Sequence, residues 1–484
     1  MDLPEAKHSA AAAQGPLVVS GVNPRYFSVA GDSRLVYLTG AHFNNNLQDG
    51  LGWGRDCPEE PERFDFEAYL AFLAARGHNF IRFWRWEQFD GYLPGADVHF
   101  CMTPQPWLRS GPGTASDGKP QFDLAQFDHA YFDRLRARVA AAGAAGIYAS
   151  VMLFDGFSMH LTEVPSNITG HPFHGSNNVN GVDIGSIVDY QELPLDPSIE
   201  DLQLAYIRHV VDTVHDLPNV LYEVANESSG VSADVVTMPD GMTIDTPSAD
   251  STPWQYWVID VIRRHERDTG RTPHPIGMTF QFPVADQRVA NAPLWQSPAD
   301  WISPGFDDTE APFDSRWRHD PPANDGGKVV ISDTDHYSPM DPDAVWAWKA
   351  FLRGHNPILY DLGIAAGFDP VDPALEAARL ALGDTRRFAE QLDLAQTMPL
   401  GHLASSGFAL ARPDDEYVAL QPAGDVGPFT LELRPGTYAV RWFDIDDRIE
   451  EPGDDLVVER VPRVGLISPF GEDRSSVVHL TRRR

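Results

Sequence analysis

The sequence of 484 residues contains only two cysteines and no long apolar run. Cys57 and Cys101 can form at most one disulfide, and they cannot hold a metal cluster by themselves. Since a membrane-spanning helix needs about 20 apolar residues in succession, no such helix is expected. The first residues contain acidic side chains and lack the apolar core of a signal peptide, which predicts a cytoplasmic protein, or a secreted one if a leader has been trimmed from it.

Basic residues are also scarce, and only four of them are lysines. Lysine and arginine together number 37 against 70 aspartates and glutamates, which leaves a formal charge of −33. A negative field of this size repels phosphate groups, so we expect neither nucleic acid nor a membrane surface as a partner. Two hypotheses explain the acidity equally well: adaptation to concentrated salt, which screens self-repulsion, or the codon bias of a GC-rich genome.

Apolar residues are abundant by contrast, at 42% of the chain, and they occur in two alternating patterns. Short apolar runs typical of strands alternate with longer stretches of helical period. This alternation predicts an α/β fold with parallel strands, and eight such strands are the number that closes a (β/α)8 TIM barrel. The predicted strands are 35–42, 79–86, 146–154, 219–227, 274–280, 299–305, 328–336 and 356–362, and the predicted helices are 64–76, 124–143, 200–216, 254–268, 342–353 and 373–392.

The pattern changes beyond about residue 400, where short alternating runs are separated by Gly, Pro and Asp. Such a texture is typical of a small antiparallel sandwich. Long polar segments at 155–199 and 228–253 fall where a barrel has βα loops, so we expect them to wall a substrate cleft. The predicted parts are therefore a flexible N-terminus (1–16), a barrel with an N-terminal β-hairpin (17–400) and a C-terminal β-sandwich (401–484).

The strongest chemical signal is NVLYEVANESS at 219–229, an apolar strand that ends in Asn226 and Glu227. A carboxyl group at the carboxyl end of a barrel strand lies where active sites are built, and the preceding amide can bind a sugar hydroxyl. The alternative is that both residues cap the next element. The motif resembles the fourth strand of the large clan of (β/α)8 glycoside hydrolases that includes cellulases and mannanases. This resemblance implies that Asn226 binds the sugar 2-hydroxyl and that Glu227 is the acid/base.

A second carboxylate is expected on the seventh strand, KVVISDTDHY, which offers Asp333 and Asp335. The resemblance to the clan places Asp333 at the nucleophile position, and strand alternation places Asp335 on the same side as the reserve. Direct attack with retention needs carboxyl groups roughly 5–5.5 Å apart, whereas a gap of about 6.5–9.5 Å leaves room for water and inversion. The alternative is that DTDH forms a polar network or a cation site.

Other predicted strand ends contribute polar and aromatic side chains. Arg82 resembles the second-strand arginine of the clan, which would orient the nucleophile and lower its pKa by pairing. Trp84 and Trp86 can stack on a sugar face, but core packing explains each of them equally well. The complete set of expected substrate-binding residues is Asn226, Arg82, His42, Asn44, Trp84, Trp86, Asp155, His336 and Tyr360.

Several longer segments resemble one branch of this clan. They include NPRYFSVAGDSRLVYLTGAHFNNNLQD, IRFWRWE, HPIGMTFQ, ISDTDHY and WKAFLRGHNPILYD. These segments are similar to the apiosidase-like glycosidases that carry DUF4038-type barrels. EYVALQPAG and GTYAVRWFD resemble the β-sandwich often named a collagen-binding domain in such chains, a label from which we infer no collagen binding.

The sequence therefore predicts a glycoside hydrolase that cleaves an O-glycosidic bond in a carbohydrate substrate with two carboxylates, retains configuration and needs no cofactor. A metal-dependent barrel hydrolase is the first alternative, with Asp333, Asp335, His336 and His42 as ligands. A catalytically inactive carbohydrate-binding protein is the second. The sequence indicates neither the sugar nor the oligomeric state.

Overall fold

The computed structural model describes residues 11–53, 60–93, 98–160, 168–237, 243–305, 316–337, 342–364, 367–370, 372–424, 429–460 and 463–484. Residues 1–10 of the predicted flexible start therefore lie outside the described residues, as does Cys57. Cys101 is disulfide-bonded. Within the described ranges, no helix combines the length and the apolar character that crossing a membrane requires.

Eight parallel strands form the predicted barrel. We number them β1 to β8 in chain order: Gly40–His42, Phe80–Phe83, Tyr148–Asp155, Val220–Asn226, Ile276–Thr279, Trp301–Ser303, Val329–Asp333 and Asn356–Tyr360. Neighbours in the sheet follow the order β1-β8-β7-β6-β5-β4-β3-β2. The ring is drawn together between β1 and β2, because the backbone N–H groups of Asn79 and Phe80 both donate to Thr39 O, at 2.9 and 3.1 Å. A Cβ on Gly40 would lie 2.0 Å from Phe80 O, so this approach requires glycine.

The predicted helices follow barrel strands in the chain, with one boundary that the sequence analysis placed wrongly. Residues 124–127 belong to the strand Pro120–Phe127, where Phe122 and Leu124 are buried in strand alternation. The helix begins at His129, because the Asp128 carboxylate accepts from Ala130 N at 2.9 Å and caps it. The helices are Phe66–Ala75, His129–Ala144, Val188–Gln191, Pro197–Val214, Thr252–Asp268, Ala292–Gln296, Arg316–His319, Ala344–Leu352 and Glu376–Ala389.

A three-stranded antiparallel sheet, rather than a simple hairpin, precedes the barrel. It consists of Leu17–Val19, Phe27–Val29 and Leu35–Val36, so the predicted strand 35–42 is divided between this sheet and β1. Its apolar side chains share one cluster with residues from the first halves of the barrel strands, such as Phe80 and Trp301. The amino-terminal end of the barrel is thereby filled with apolar side chains, which leaves the opposite end for polar chemistry.

Small antiparallel elements follow several barrel strands. They are a three-stranded sheet (Asp49–Trp53, Gly91–Leu93, Val98–Thr103), the hairpin Trp107–Thr114 with Pro120–Phe127, and the ribbon Val235–Thr237 with Thr243–Asp245. Short 3-10 helices occur at Phe157–Met159, Gln287–Val289, Thr334–His336, Pro373–Leu375 and Gly401–Leu403. The two long segments predicted as βα loops do follow β3 and β4, where loops of a barrel reach the active-site face.

The C-terminal part consists of antiparallel sheets, as the sequence predicts. One sheet has six strands, in the order Met398–Pro399, Ala409–Arg412, Glu416–Gln421, Ser476–Arg482, Gly436–Asp444 and Glu450–Val458, and a second pairs Phe429–Glu432 with Arg463–Leu466. Tyr417 and Ala419 pack into a cluster with the second sheet, whereas Val418 and Leu420 belong to the large cluster of the barrel. The strand Glu416–Gln421, which lies inside the six-stranded sheet, is therefore buried on both faces.

Aromatic contacts and ion pairs fix the six-stranded sheet to the barrel. The Phe443 ring lies 5.4 Å from that of Trp348 and 5.3 Å from that of Phe388, which are residues of the last two long helices. Arg448 donates to both carboxylate oxygens of Asp384, at 2.7 and 3.0 Å. The six-stranded sheet thus packs against the helices that follow β7 and β8.

Candidate active site

Arg82 on β2 is the centre of a buried charge network at the carboxyl end of the barrel. Its Nε and Nη2 donate to the two oxygens of Glu223 on β4, at 3.0 and 2.6 Å. Its Nη1 donates to Asp333 at 2.7 Å and to Asp335 at 3.1 Å, and Nη2 also reaches Asn226 Oδ1 at 2.9 Å. One guanidinium therefore connects β2, β4 and the end of β7, and its rigid fork fixes the positions of three carboxylates.

Asp333 is one of the carboxylates of this network that have no exposed surface. It accepts from His42 Nε2 at 2.9 Å, from Arg82, and from the backbone N–H of Asp335 at 3.0 Å. The Trp84 indole N–H donates to His42 Nδ1 at 2.8 Å, which places the imidazole proton on Nε2, facing Asp333. Burial opposes the charge of Asp333, but the neighbouring His42 and Arg82 outweigh it and lower its pKa. Asp333 is thus ionised and saturated with donors.

Glu227 and Asp335 form a close carboxyl pair beside this network. One oxygen from each carboxyl group and one ring nitrogen of His336 lie within 4.8 Å of one another. Burial raises the pKa of Glu227 well above its ordinary value, and the charges of Asp335 and Asp155 raise it further. Burial raises the pKa of Asp335 to about 6, although the Arg82 charge opposes this. Glu227 therefore holds a proton near neutral pH, whereas Asp335 is largely ionised.

Asn226 lies between Arg82 and Asp155, next to this pair. Its Oδ1 accepts from Arg82, and its Nδ2 donates to Asp155 Oδ1 at 3.4 Å, which fixes the plane of the amide. Asp155 also accepts from Ser158 Oγ at 2.7 Å, and burial raises the pKa of Asp155 to about 7. Because Nδ2 carries two hydrogens and one of them bonds to Asp155, the other can be donated to a ligand hydroxyl.

The predicted aromatic residues form one buried stack. The Trp84 and Trp86 rings are parallel to within 10° at 5.0 Å, and the Trp84 ring lies 5.7 Å from that of His42. Tyr360 stacks on His42 at 5.4 Å and donates to Asn44 Oδ1 at 2.7 Å. Trp84 is only 2% exposed, so it orients His42 and packs, with no open face for a sugar.

His336 contacts the carboxyl pair from the β6 side of the site. Its Nδ1 is hydrogen-bonded to Ser303 Oγ at 2.9 Å. Its Nε2 lies 3.7 Å from Asp335 Oδ2 and has no hydrogen-bond partner within the described part of the chain. Burial lowers the pKa of His336 to about 3, so the imidazole is neutral and can bind a ligand hydroxyl.

The structure also brings in residues that the sequence analysis did not select. Glu223 is the principal partner of Arg82, and Glu87 accepts from His171 Nε2, Tyr190 Oη and the backbone N–H of Asp155, at 2.8, 2.8 and 2.9 Å. Glu223 interrupts the apolar run VLYEVA, and a buried carboxylate requires a partner. A charged residue inside an apolar strand was therefore the sequence signal that could have identified Glu223 as part of the site.

The four residues expected as ligands by the metal-dependent alternative do not form one group in the structure. His42 and Asp333 bond to each other, and both are fully buried. Among the described residues, the group with spacing suited to a metal ion is Glu227, Asp335 and His336. Two of these three are the carboxyl groups with raised pKa values described above.

Comparison with known proteins places this site in a familiar fold. Neither protein-family models nor curated protein sequences match this chain. A solved structure named "Glycoside hydrolase" is 13% identical and superposes with a TM-score of 0.56, covering 97% of each chain. A glycoside hydrolase family 5 structure from Bacteroides vulgatus ATCC 8482 is also 13% identical, with a TM-score of 0.55 over 97% of this chain and 94% of that one. Barrel and C-terminal sheets together therefore have the fold of these two glycoside hydrolase structures.

Proposed function

We propose that this protein is a glycoside hydrolase that cleaves an O-glycosidic bond with retention, using Glu227 and Asp335. The observation that carries the proposal is the separation of this pair, whose nearest oxygens lie within 4.8 Å. Retaining glycosidases hold their carboxyl groups about 5–5.5 Å apart, because one carboxylate attacks the sugar directly. An inverting pair would need room for a water molecule between the carboxylate and the sugar.

The different pKa values of the pair assign the two roles. Protonated Glu227 donates to the glycosidic oxygen while ionised Asp335 attacks the anomeric carbon, and the aglycone leaves as an alcohol. The product is a glycosyl ester on Asp335 and an ionised Glu227. Glu227 then removes a proton from water, which attacks the anomeric carbon and releases the sugar and the free Asp335 carboxylate.

Asp333, which the resemblance placed first, acts in this proposal as a positioning residue. It has no exposed surface and already accepts from His42, Arg82 and a backbone N–H, whereas Asp335 is 8% exposed. Asp333 accepts from the backbone N–H of Asp335, and Arg82 donates to its carboxylate, so together they hold Asp335 in place. Asn226 Nδ2 and His336 Nε2 bind hydroxyl groups of the sugar next to the carboxyl pair.

The finer classification is also part of the proposal. The motifs favour the apiosidase-like branch of the glycoside hydrolase clan, with residues 17–400 as the catalytic barrel and 401–484 as a sandwich that supports it. The apolar contacts of Phe443 with Trp348 and Phe388 support a structural role for that sandwich. The carbohydrate is the only partner that the mechanism requires.

The decisive experiment traps the glycosyl ester. Wild-type protein is screened on aryl glycosides of both anomers and on polysaccharides, and the best sugar is then used as its 2-fluoro activated derivative. Mass spectrometry should find the label on Asp335, and NMR should find retained configuration in the product. Label on Asp333 would reverse the assignment of the two aspartates, and an inverted product would refute direct attack. Absence of hydrolysis across the whole panel would refute the enzyme itself.

A further inference from the structure

The backbone of Glu227 adopts an unusual conformation. Its φ is +44°, in the left-handed region that non-glycine residues rarely occupy. Such a conformation is strained and persists only where the surroundings hold it. Since Glu227 directly follows β4, this strain decides where its carboxyl group lies relative to Asp335.

The segment 156–160, which we name the β3 clasp, holds this backbone. Gly156 N donates to Asn226 O at 2.7 Å, and the segment continues as the short 3-10 helix Phe157–Met159. A Cβ on Gly156 would lie 2.7 Å from both Glu227 O and Ser228 Cα, so glycine is required for the approach. The clasp therefore follows the backbone of the catalytic strand end closely.

His160 ends the clasp and makes the contact that faces the strained residue. Its Nε2–H donates to Glu227 O at 2.5 Å, and the imidazole has no exposed surface. Its Nδ1 has no hydrogen-bond partner in the described part of the chain. Burial lowers the pKa of His160 to about 4, which keeps the ring neutral. Among the described residues, the hydrogen bond that the buried imidazole makes is therefore the one to Glu227 O.

We infer that His160 is a positioning residue for the general acid, because it holds the left-handed backbone of Glu227 and so fixes its carboxyl group against Asp335. The inference rests on the proposed function and extends it to a residue that touches no substrate. Without the His160 donor, Glu227 O is left without this partner, and the backbone can relax out of the left-handed region. The carboxyl group then moves away from the glycosidic oxygen, and protonation of the leaving group fails first.

The experiment compares substrates that differ in their need for protonation. His160→Ala should lower kcat on alkyl glycosides by roughly 10–100-fold, within the range of general acid catalysis, and by less than about threefold on dinitrophenyl glycosides, with KM nearly unchanged. His160→Gln should restore most of the loss, since the glutamine amide can donate from nearly the same place. Gly156→Ala, whose added Cβ would press on the same carbonyl oxygen of Glu227, should reproduce the same dependence on leaving group.

His78 provides a matched control. It is also a buried histidine whose Nε2 contacts a backbone carbonyl, that of Arg379 at 2.7 Å, and its Nδ1 is likewise unpartnered within the described residues. His78→Ala should lower the Tm to a similar extent as His160→Ala, without any dependence on the leaving group.

Two results would overturn the inference: an equal loss of kcat on both substrate classes in His160→Ala, or no loss at all in that variant. Glu227→Gln separates this failure from failure of the proposed function. If Glu227→Gln itself shows no dependence on leaving group, the acid assignment is wrong. If it shows that dependence and His160→Ala does not, only the role of His160 is refuted.

Discussion

Converting Asp335 into a glycosyl ester should lower the pKa of Glu227. The ester removes the negative charge that helps to raise this pKa and leaves the burial of Glu227 in place. Two unit charges separated by 4.8 Å, the upper limit for this pair, interact with about 3.5 kcal/mol at an effective dielectric constant of 20. Because 4.8 Å is the largest separation that the nearest oxygens can have, this energy is a minimum, and each 1.36 kcal/mol of it corresponds to a tenfold change in the acid dissociation constant of Glu227. The sign is downward because loss of a like charge favours the ionised form.

Two pH profiles measure this shift. The alkaline limb of kcat/KM gives the pKa of Glu227 as an acid in the free enzyme, where Asp335 is ionised. The acidic limb of the reactivation rate of the 2-fluoroglycosyl enzyme gives the pKa of Glu227 as a base, with Asp335 esterified. The second value should be lower than the first, which lets one residue serve both steps at one pH. Equal values, or a higher value in the ester, would refute the electrostatic coupling of the pair.

Three further predictions follow from the same geometry. Asp335→Asn should nearly abolish turnover, whereas Asp333→Asn should lower kcat by about 10–100-fold, the equivalent of one charged hydrogen bond. Circular dichroism should show that both variants are folded. Equal losses of kcat would contradict separate roles for the two aspartates. Trp84→Phe keeps a ring in the stack but removes the donor to His42 Nδ1. We therefore expect kcat to fall about tenfold and NMR to show a change in the imidazole tautomer of His42. An unchanged tautomer would contradict the role of Trp84. Removal of metal ions with EDTA should leave hydrolysis unchanged. Added Zn2+ should inhibit hydrolysis by binding the carboxyl pair of Glu227 and Asp335. Inactivation by EDTA that a metal reverses would support the metal-dependent alternative.

The barrel could be predicted from the sequence because its signals are local. Each of the eight strands is an apolar run that falls between helical patterns or turns, and all eight lie in the barrel sheet. The wrong helix start at 124 has a local cause as well, since alternation in QFDLAQF competes with the helical pattern that follows it. Strand boundaries near β1 also depended on pairing, because Leu35–Val36 pairs with Phe27–Val29 outside the barrel.

The site was only partly predictable, because its assignments depend on contacts between distant residues. Asp333 and Asp335 look equivalent from strand alternation, but the chain leaves β7 after Asp333 and turns into the 3-10 helix Thr334–His336. That turn directs one carboxylate to His42 and leaves the other beside Glu227. The role of Glu223 is invisible for the same reason, since its partner Arg82 is 141 positions away.

The burial of both faces of the strand Glu416–Gln421 has a consequence for the order of folding during synthesis. The helices Ala344–Leu352 and Glu376–Ala389 present Trp348 and Phe388 to a sheet whose Phe443 is made almost 100 residues after Trp348. A central strand of that sheet, Ser476–Arg482, is synthesised later still. The barrel therefore keeps an apolar surface uncovered until residues 476–482 have been made, and a partly folded chain with such a surface is prone to aggregate.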